Sequence, residues 1–360
     1  MTQKHFSTRT RYLINILGIA FIWLILVVLA GMGWITKYWN GVLIAVGIHM
    51  ILAISLNIPV GYLGQLPLGH AGFMAVGAYT TGIFLKSDTI AALMKSGGAF
   101  SMLACVVAAL LLGSLVSGFI GLLIGIPALR LRGDYLAIIT LGFGEIIRVI
   151  FNNIDNVLGF KLTYGSSGLK RIPKFTTIEV IFIALIFTCY LVHVLMHSRH
   201  GRAILSIREN EIAAESVGIP TTFYKTYAFV FSAMLAGLAG GLYAGYLGSL
   251  YPSTFGFMKS IEILVMVVLG GMGSMVGSIL SAGTYTILQE LLRSVDEYRM
   301  LAFAILLILM MIFRPKGLLG NYEFSLSRIL ERIFYGKAKS YSSQESPAEN
   351  ASSETKGDQK

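Results

Sequence analysis

Charge is scarce in this chain of 360 residues: Asp, Glu, Lys and Arg together make up 13%, against 55% hydrophobic residues, and the mean hydropathy is +0.74. A water-soluble domain of that composition would carry large exposed apolar patches and aggregate, so a soluble globular protein is excluded. Cysteine is nearly absent. Cys105 and Cys189 both sit inside apolar runs, which argues against a disulfide framework or a metal cluster and reads as inert thiols. No G-x-x-x-x-G-K-S/T string occurs, so no nucleotide-phosphate loop is visible, and the H-E-x-x-H pair of a membrane zinc protease is missing too. There is no nucleophile and base set for facing helices and no intramembrane series of acids for a proton relay. No metal and no cofactor is expected.

Apolar runs fill the space those absences leave. Several approach the roughly 20 residues that span about 30 Å of hydrocarbon, so the expected fold is all-α, a polytopic transmembrane helical bundle; a barrel would show short alternating segments. Residues 1–12 form a basic amino-terminal segment with Lys4, Arg9 and Arg11, and 13–320 form the membrane domain. Spans are expected at about 13–33, 41–60, 102–126, 135–151, 178–196, 227–247 and 300–313, with further crossings at the interrupted regions described below. Counting the second interruption as a turn between two passes gives about ten crossings with both termini inside, the arrangement that puts more Lys and Arg on the inner side. The net charge of +10 is explained in this way, without nucleic acid. Residues 321–336 are expected to form an amphipathic segment along the membrane surface and 337–360, almost free of apolar residues, a disordered tail.

A polar island separates two of the runs. Glu209 to Lys225, ENEIAAESVGIPTTFYK, lies within a loop at 197–225 and reads as a short helix outside the bilayer. Ile212, Ala213 and Val217 fall on one side of a helical wheel and Glu209, Glu211 and Glu215 on the other. Gly218 supplies a stop and Pro220 prevents resumption. Ala213 and Ala214 offer a low surface to another protein.

Two regions interrupt the hydrophobic pattern, Gly61 to Tyr79 and Gly270 to Gly283, in comparable places of the two halves. Backbone that cannot complete a helix at membrane depth must find partners in protein or line a cavity. Paired interruptions of this kind point to an internal repeat and to a transport pathway. Gln65, Gly69 and His70 in the first, and Gly270, Gly271 and Gly273 in the second, are therefore pathway candidates. Glu145 and Arg148 join them, because i,i+3 spacing lets them pair within a medium where either charge alone is costly. The plainer reading of that pair is a structural ion pair, and of His70 a hydrogen-bonded packing residue.

EIAAESVGI at 211–219 resembles the coupling loop of ATP-binding-cassette importer permeases, in which Glu-Ala-Ala is followed three residues later by Gly. Ala213, Ala214 and Gly218 match the spacing, whereas Ile212 stands where the glutamate is usual and Glu211 comes one place early. With GYLGQLPLGHAGF at 61–73, LRLRGDYLAIITLGFGEIIR at 129–148, SIRENEIAAESVGI at 206–219 and VLGGMGSMVGSILSA at 268–282, the chain is similar to the longer permease subunit of the branched-chain amino acid importers. LTYGSSGL at 162–169 is similar to a glycine-rich outer loop of that family, with Tyr164 where glycine is common. The resemblance implies a transport subunit of a bacterial inner membrane, itself not an enzyme. It implies as partners a second permease subunit, two cytoplasmic ATPases, an extracytoplasmic solute-binding protein and membrane lipid. Glu211, Ala213, Ala214, Glu215 and Gly218 would then be the ATPase-coupling residues. Related permeases carry urea, short amides or other amino acids. A self-sufficient channel or ion-coupled carrier, suggested by His70, Glu145 and Arg148, is the alternative of a different class.

Overall fold

A computed structural model describes residues 36–295, apart from 97, 132, 160 and 161, together with 305 and 308. The segment 1–12, the first span at about 13–33, the last span at about 300–313, the surface segment at 321–336 and the tail at 337–360 lie outside the described residues.

The described chain is helical almost throughout. The helices are α1 (Lys37–Asn57), α2 (His70–Lys86), α3 (Asp88–Ser96), α4 (Gly98–Ala128), α5 (Asp134–Leu158), α6 (Ile178–His197), α7 (Arg199–Glu209), α8 (Glu211–Ser216), α9 (Thr221–Leu247), α10 (Phe257–Gly270) and α11 (Met275–Leu291). Among the described residues five segments are long and apolar enough to cross a membrane: Lys37–Tyr62, Phe100–Ala128, Tyr135–Val157, Ile178–His197 and Thr221–Leu247. The chain is a multi-pass helical membrane protein. Helices α2, α10 and α11 are shorter, with 17, 14 and 17 residues, and belong to the two interrupted regions.

Several boundaries differ from those expected. Ahead of the span expected at 102–126 the chain forms the short helix α3, and the span expected at 135–151 runs on to Leu158, where Gly159 ends it at φ +72. The first interruption is narrower than its glycine content suggests. Pro59 removes a backbone donor, the end of α1 widens into a π-helical turn at Ile58–Tyr62, and Gly64 at φ +77 turns the chain away. From His70 onward the glycines are helical and serve contact instead. A β-carbon on Gly77 would lie 2.1 Å from Gly237 O of α9, and one on Gly240 would lie 2.0 Å from Met74 O of α2. Lipid offers no hydrophobic drive between helices, so close backbone approach is what holds α2, α4 and α9 together. Ser117 of α4 reinforces it, its hydroxyl reaching Phe73 O at 3.0 Å and Ala233 O at 2.8 Å.

Burial separates the long helices. The most apolar windows of α1 with its π turn and of α9 are 78% and 72% buried, whereas those of α4, α5 and α6 are 33%, 17% and 28% buried. Helices α1 and α9 form the interior. α11 runs antiparallel to α1: Ser274, its cap, meets Asn57, Thr286 meets His49, and Glu290 meets Tyr38. A two-stranded antiparallel ladder, Leu169–Lys170 with Ser249–Leu250, ties the loop after α5 to the end of α9. Cys105 is buried and Cys189 half-buried, and both are free thiols.

Candidate functional site

The two interruptions meet. Asn57, the last residue of α1, donates from Nδ2 to Ser274 O at 3.2 Å and accepts at Oδ1 from the Gly273 N–H at 2.9 Å. Asn57 is 1% exposed, so water reaches neither the donor nor the acceptor of its side chain. The backbones touch at the same place, since a β-carbon on Gly61 would lie 2.2 Å from Gly273 N. Gly61 is glycine because another chain segment passes where its side chain would stand.

Within the second interruption α10 and α11 form a hairpin through Gly271 at φ +102 and Gly273 at φ +92, values that exclude ordinary side chains without strain. Gly270 faces Gly277, each where the other's β-carbon would be: on Gly270 it would lie 2.5 Å from the Gly277 carbonyl carbon. The Gly277 N–H donates to Ser274 Oγ at 3.0 Å, capping α11.

The remaining pathway candidates separate into different surroundings. Gly69 presses on α5, where an added β-carbon would meet Thr140 O at 2.1 Å. Gln65 is half-buried, with Oε1 enclosed and without a hydrogen-bond partner among the described residues. His70 is buried, 2.7 Å through Nε2 from Ser55 Oγ and edge-on to Phe73, in the geometry of a packing histidine between α1 and α2. Glu145 Oε2 accepts from Arg148 Nε at 2.6 Å, while Oε1 accepts from the Phe257 N–H at 2.9 Å. Gly256 offers α10 no side-chain cap, so Glu145 supplies one from a neighbouring helix and places negative charge at the positive end of the α10 dipole. Leu68, Gly144, Glu145, Phe255, Phe257 and Ser260 line a crevice here in which no water-sized space remains.

Sequence reasoning missed a polar chain at the side of this hairpin. Lys259 Nζ lies 3.0 Å from Glu262 Oε2 and 3.1 Å from His49 Nε2, and His49 Nδ1 lies 2.8 Å from Thr286 Oγ1. An ammonium only donates, so Nε2 must accept; Nδ1 then carries the hydrogen and donates to Thr286, whose hydroxyl donates to Ala282 O at 2.7 Å. The Lys259 and Glu262 side chains are 14% and 18% exposed. A polar residue in the apolar run at His49, and the i,i+3 pair Lys259 and Glu262, were the available signals.

The polar island takes in Glu209, which ends α7 instead of standing on the short helix, then all of α8 and the first turn of α9, so the helix outside the long runs is shorter than the island and Lys225 belongs to a buried helix. Asn210 caps α8, accepting at Oδ1 from the Ala213 N–H at 3.0 Å, and Gly218 at φ +83 closes it with open space around its Cα. Ile212, Ala213 and Val217 are exposed, Ile212 at 72% and Val217 at 74%. Ala214, expected to share that surface with Ala213, is instead buried at 3%, because the short helix leans that face on α7 and α9. Glu211 Oε1 accepts from Lys225 Nζ at 2.6 Å and Glu215 Oε1 from Thr221 Oγ1 at 2.7 Å. Both carboxylates tie α8 to α9, leaving the apolar side outward. In the loop at 162–169, Tyr164 is held at φ +60, a left-handed conformation that glycine adopts freely, with Lys86 Nζ 4.2 Å from its ring centroid.

Glycine-broken helices joined inside an apolar bundle, with a short helix braced on its surface, define a multi-pass membrane protein of the permease type. Residues 38–313 match the family model described as branched-chain amino acid transport system / permease component. The chain belongs to this family. It is 38% identical over 306 residues to the high-affinity branched-chain amino acid transport system permease protein LivM of Salmonella typhimurium, covering 76% of this chain and 68% of that protein. LivM of Escherichia coli is 37% identical over 306 residues with the same coverage. LivH of Escherichia coli, also a permease protein of that system, is 26% identical over 310 residues, covering 80% of this chain and 96% of its own length. No solved structure matches the chain.

Proposed function

We propose that this chain is a membrane-spanning permease subunit of an ATP-binding-cassette importer that moves branched-chain amino acids across the bacterial inner membrane. The observation that carries the reading is α8, an apolar side of Ile212, Ala213 and Val217 held out from the bundle while Glu211 and Glu215 brace it from behind. An exposed apolar knob on a rigid mount is suited to being gripped by another subunit. The absence of a phosphate loop from the sequence supports an energy source on partners: two ATPases on the side of α8. A second permease subunit completes the pathway, and a solute-binding protein delivers solute from the opposite side. Ten crossings with both termini inside agree with this assignment of sides. Urea, short amides or other amino acids are the alternative cargo, because selectivity resides mainly in the delivering protein in such systems.

Vesicles containing the assembled complex should accumulate leucine, isoleucine or valine only when ATP and the solute-binding protein are supplied, and vesicles with this chain alone should show no flux. Stimulation of ATP hydrolysis by urea alone would overturn the amino acid assignment, and flux through the isolated chain would replace the permease reading with a channel. Replacing Gly218 with Trp should leave insertion intact while lowering uptake per ATP, since Gly218 has free space but a left-handed φ that a side chain resists.

A further inference from the structure

Arg208 closes α7, one helix before the exposed knob, and its side chain extends to both glycine interruptions. A β-carbon on Gly64 would lie 3.3 Å from Arg208 Cγ, and one on Gly273 would lie 2.9 Å from Arg208 Nη1. The stem thus rests on the connection after the π turn, and the guanidinium rests on the hairpin turn. Neither the π turn that ends α1 nor α10 has a basic residue in its last turn, although the negative end of each lies here. Arg208 brings to both the positive charge that the negative ends of their dipoles favour.

Helix α10 consequently has charges from elsewhere in the chain at its two ends: Glu145 of α5 bonded to the Phe257 N–H at 2.9 Å, and Arg208 of α7 beside the turn that follows Gly270. The clamp is uneven. The Asn57 side chain beside it is buried, whereas Arg208 is exposed, so its contact can loosen without dehydrating a charge. Helix α7 is joined to α8 through Asn210, whose N–H donates to Ser206 O at 3.1 Å and whose side chain caps α8. A displacement of α8 reaches α7 through that junction, and the glycine turns through Arg208.

We propose that Arg208 is a positioning residue that links movement of the α8 loop to the junction of the two helix breaks, and so decides when α10 shifts relative to α1. This rests on the ATP-driven permease reading above. The glycines are part of the device, because the Arg208 stem and guanidinium lie where side chains at positions 64 and 273 would stand.

The test uses the complete complex, with its solute-binding protein, reconstituted in vesicles, measuring leucine uptake, ATP hydrolysis and the thermal midpoint of the solubilised complex for the wild type, Arg208→Gln and Arg208→Lys. The expected result for Arg208→Gln is a loss of about tenfold in leucine moved per ATP, within the usual range of coupling between sites, with hydrolysis and midpoint retained. Arg208→Lys, keeping the charge and much of the reach, should recover most of the ratio. An unchanged ratio in Arg208→Gln overturns the inference. So does a parallel fall in uptake, hydrolysis and midpoint, which marks a merely structural residue, or a lysine variant no better than glutamine. If the wild-type complex takes up no leucine with ATP, it is the permease reading that fails.

Discussion

Between α1 and α2 the chain passes through a π-helical turn and the connection at 63–69, whereas between α10 and α11 it turns through 271–274 alone. In the first break Pro59 withholds a donor and Ser55 and His70 join the two helices by a neutral contact. In the second, two glycines at positive φ reverse the chain, and the helix leading into it is pinned by charge, with Glu145 at its start and the pair Lys259 and Glu262 one turn on. The difference is that the long break can adjust along its connection, while the short one has no slack and relies on backbone contact. The two still act on one point, where Asn57 holds both.

Charge against neutrality gives the largest contrast. Lys259→Met should leave the half-buried Glu262 without its cation and His49 without its donor, lowering stability by about 3 kcal/mol, as measured by chemical unfolding of the solubilised chain; a loss near that of a surface substitution would show the network to be incidental. Gly270→Val should cost about 3 kcal/mol, because the facing Gly277 atoms are backbone and cannot swing aside. Asn57→Ala removes both bonds of the shared clamp and leaves the half-buried Gly273 N–H without its acceptor, a loss of about 2 kcal/mol; if the two breaks are coupled there, hydrogen exchange should rise at Gly61 and Gly273 together. The smallest effect belongs to the slack side. Gly64→Ala meets only a side-chain atom, Arg208 Cγ at 3.3 Å, and should cost about 1 kcal/mol for its φ of +77. A larger loss there than at Gly270 would reverse the comparison.

Membrane class, helical architecture and the existence of two breaks were legible because they depend on composition and on residues close together in the chain. An apolar run must bury its backbone bonds within itself, and Pro59, Gly64, Gly271 and Gly273 act on their own φ and ψ. The polar island was legible for the same reason, down to the exposed side of Ile212, Ala213 and Val217. The fate of Ala214 was not, since a short helix's contact with α7 and α9 has no local signature. Glu145 and Arg148 were recognisable as a pair, yet the second carboxylate oxygen, which caps α10, was not.

What the sequence by itself determined is that the chain is a helical membrane protein and roughly where its long helices run and break, because those outcomes follow from local backbone chemistry and the cost of polar groups in hydrocarbon. Only the tertiary structure decided that the two breaks share one asparagine, that His49 accepts from Lys259, and that Arg208 lies across both glycine turns. These pairings join residues far apart in the chain. Their partners are set by which helices pack side by side, and no periodicity along the chain records that.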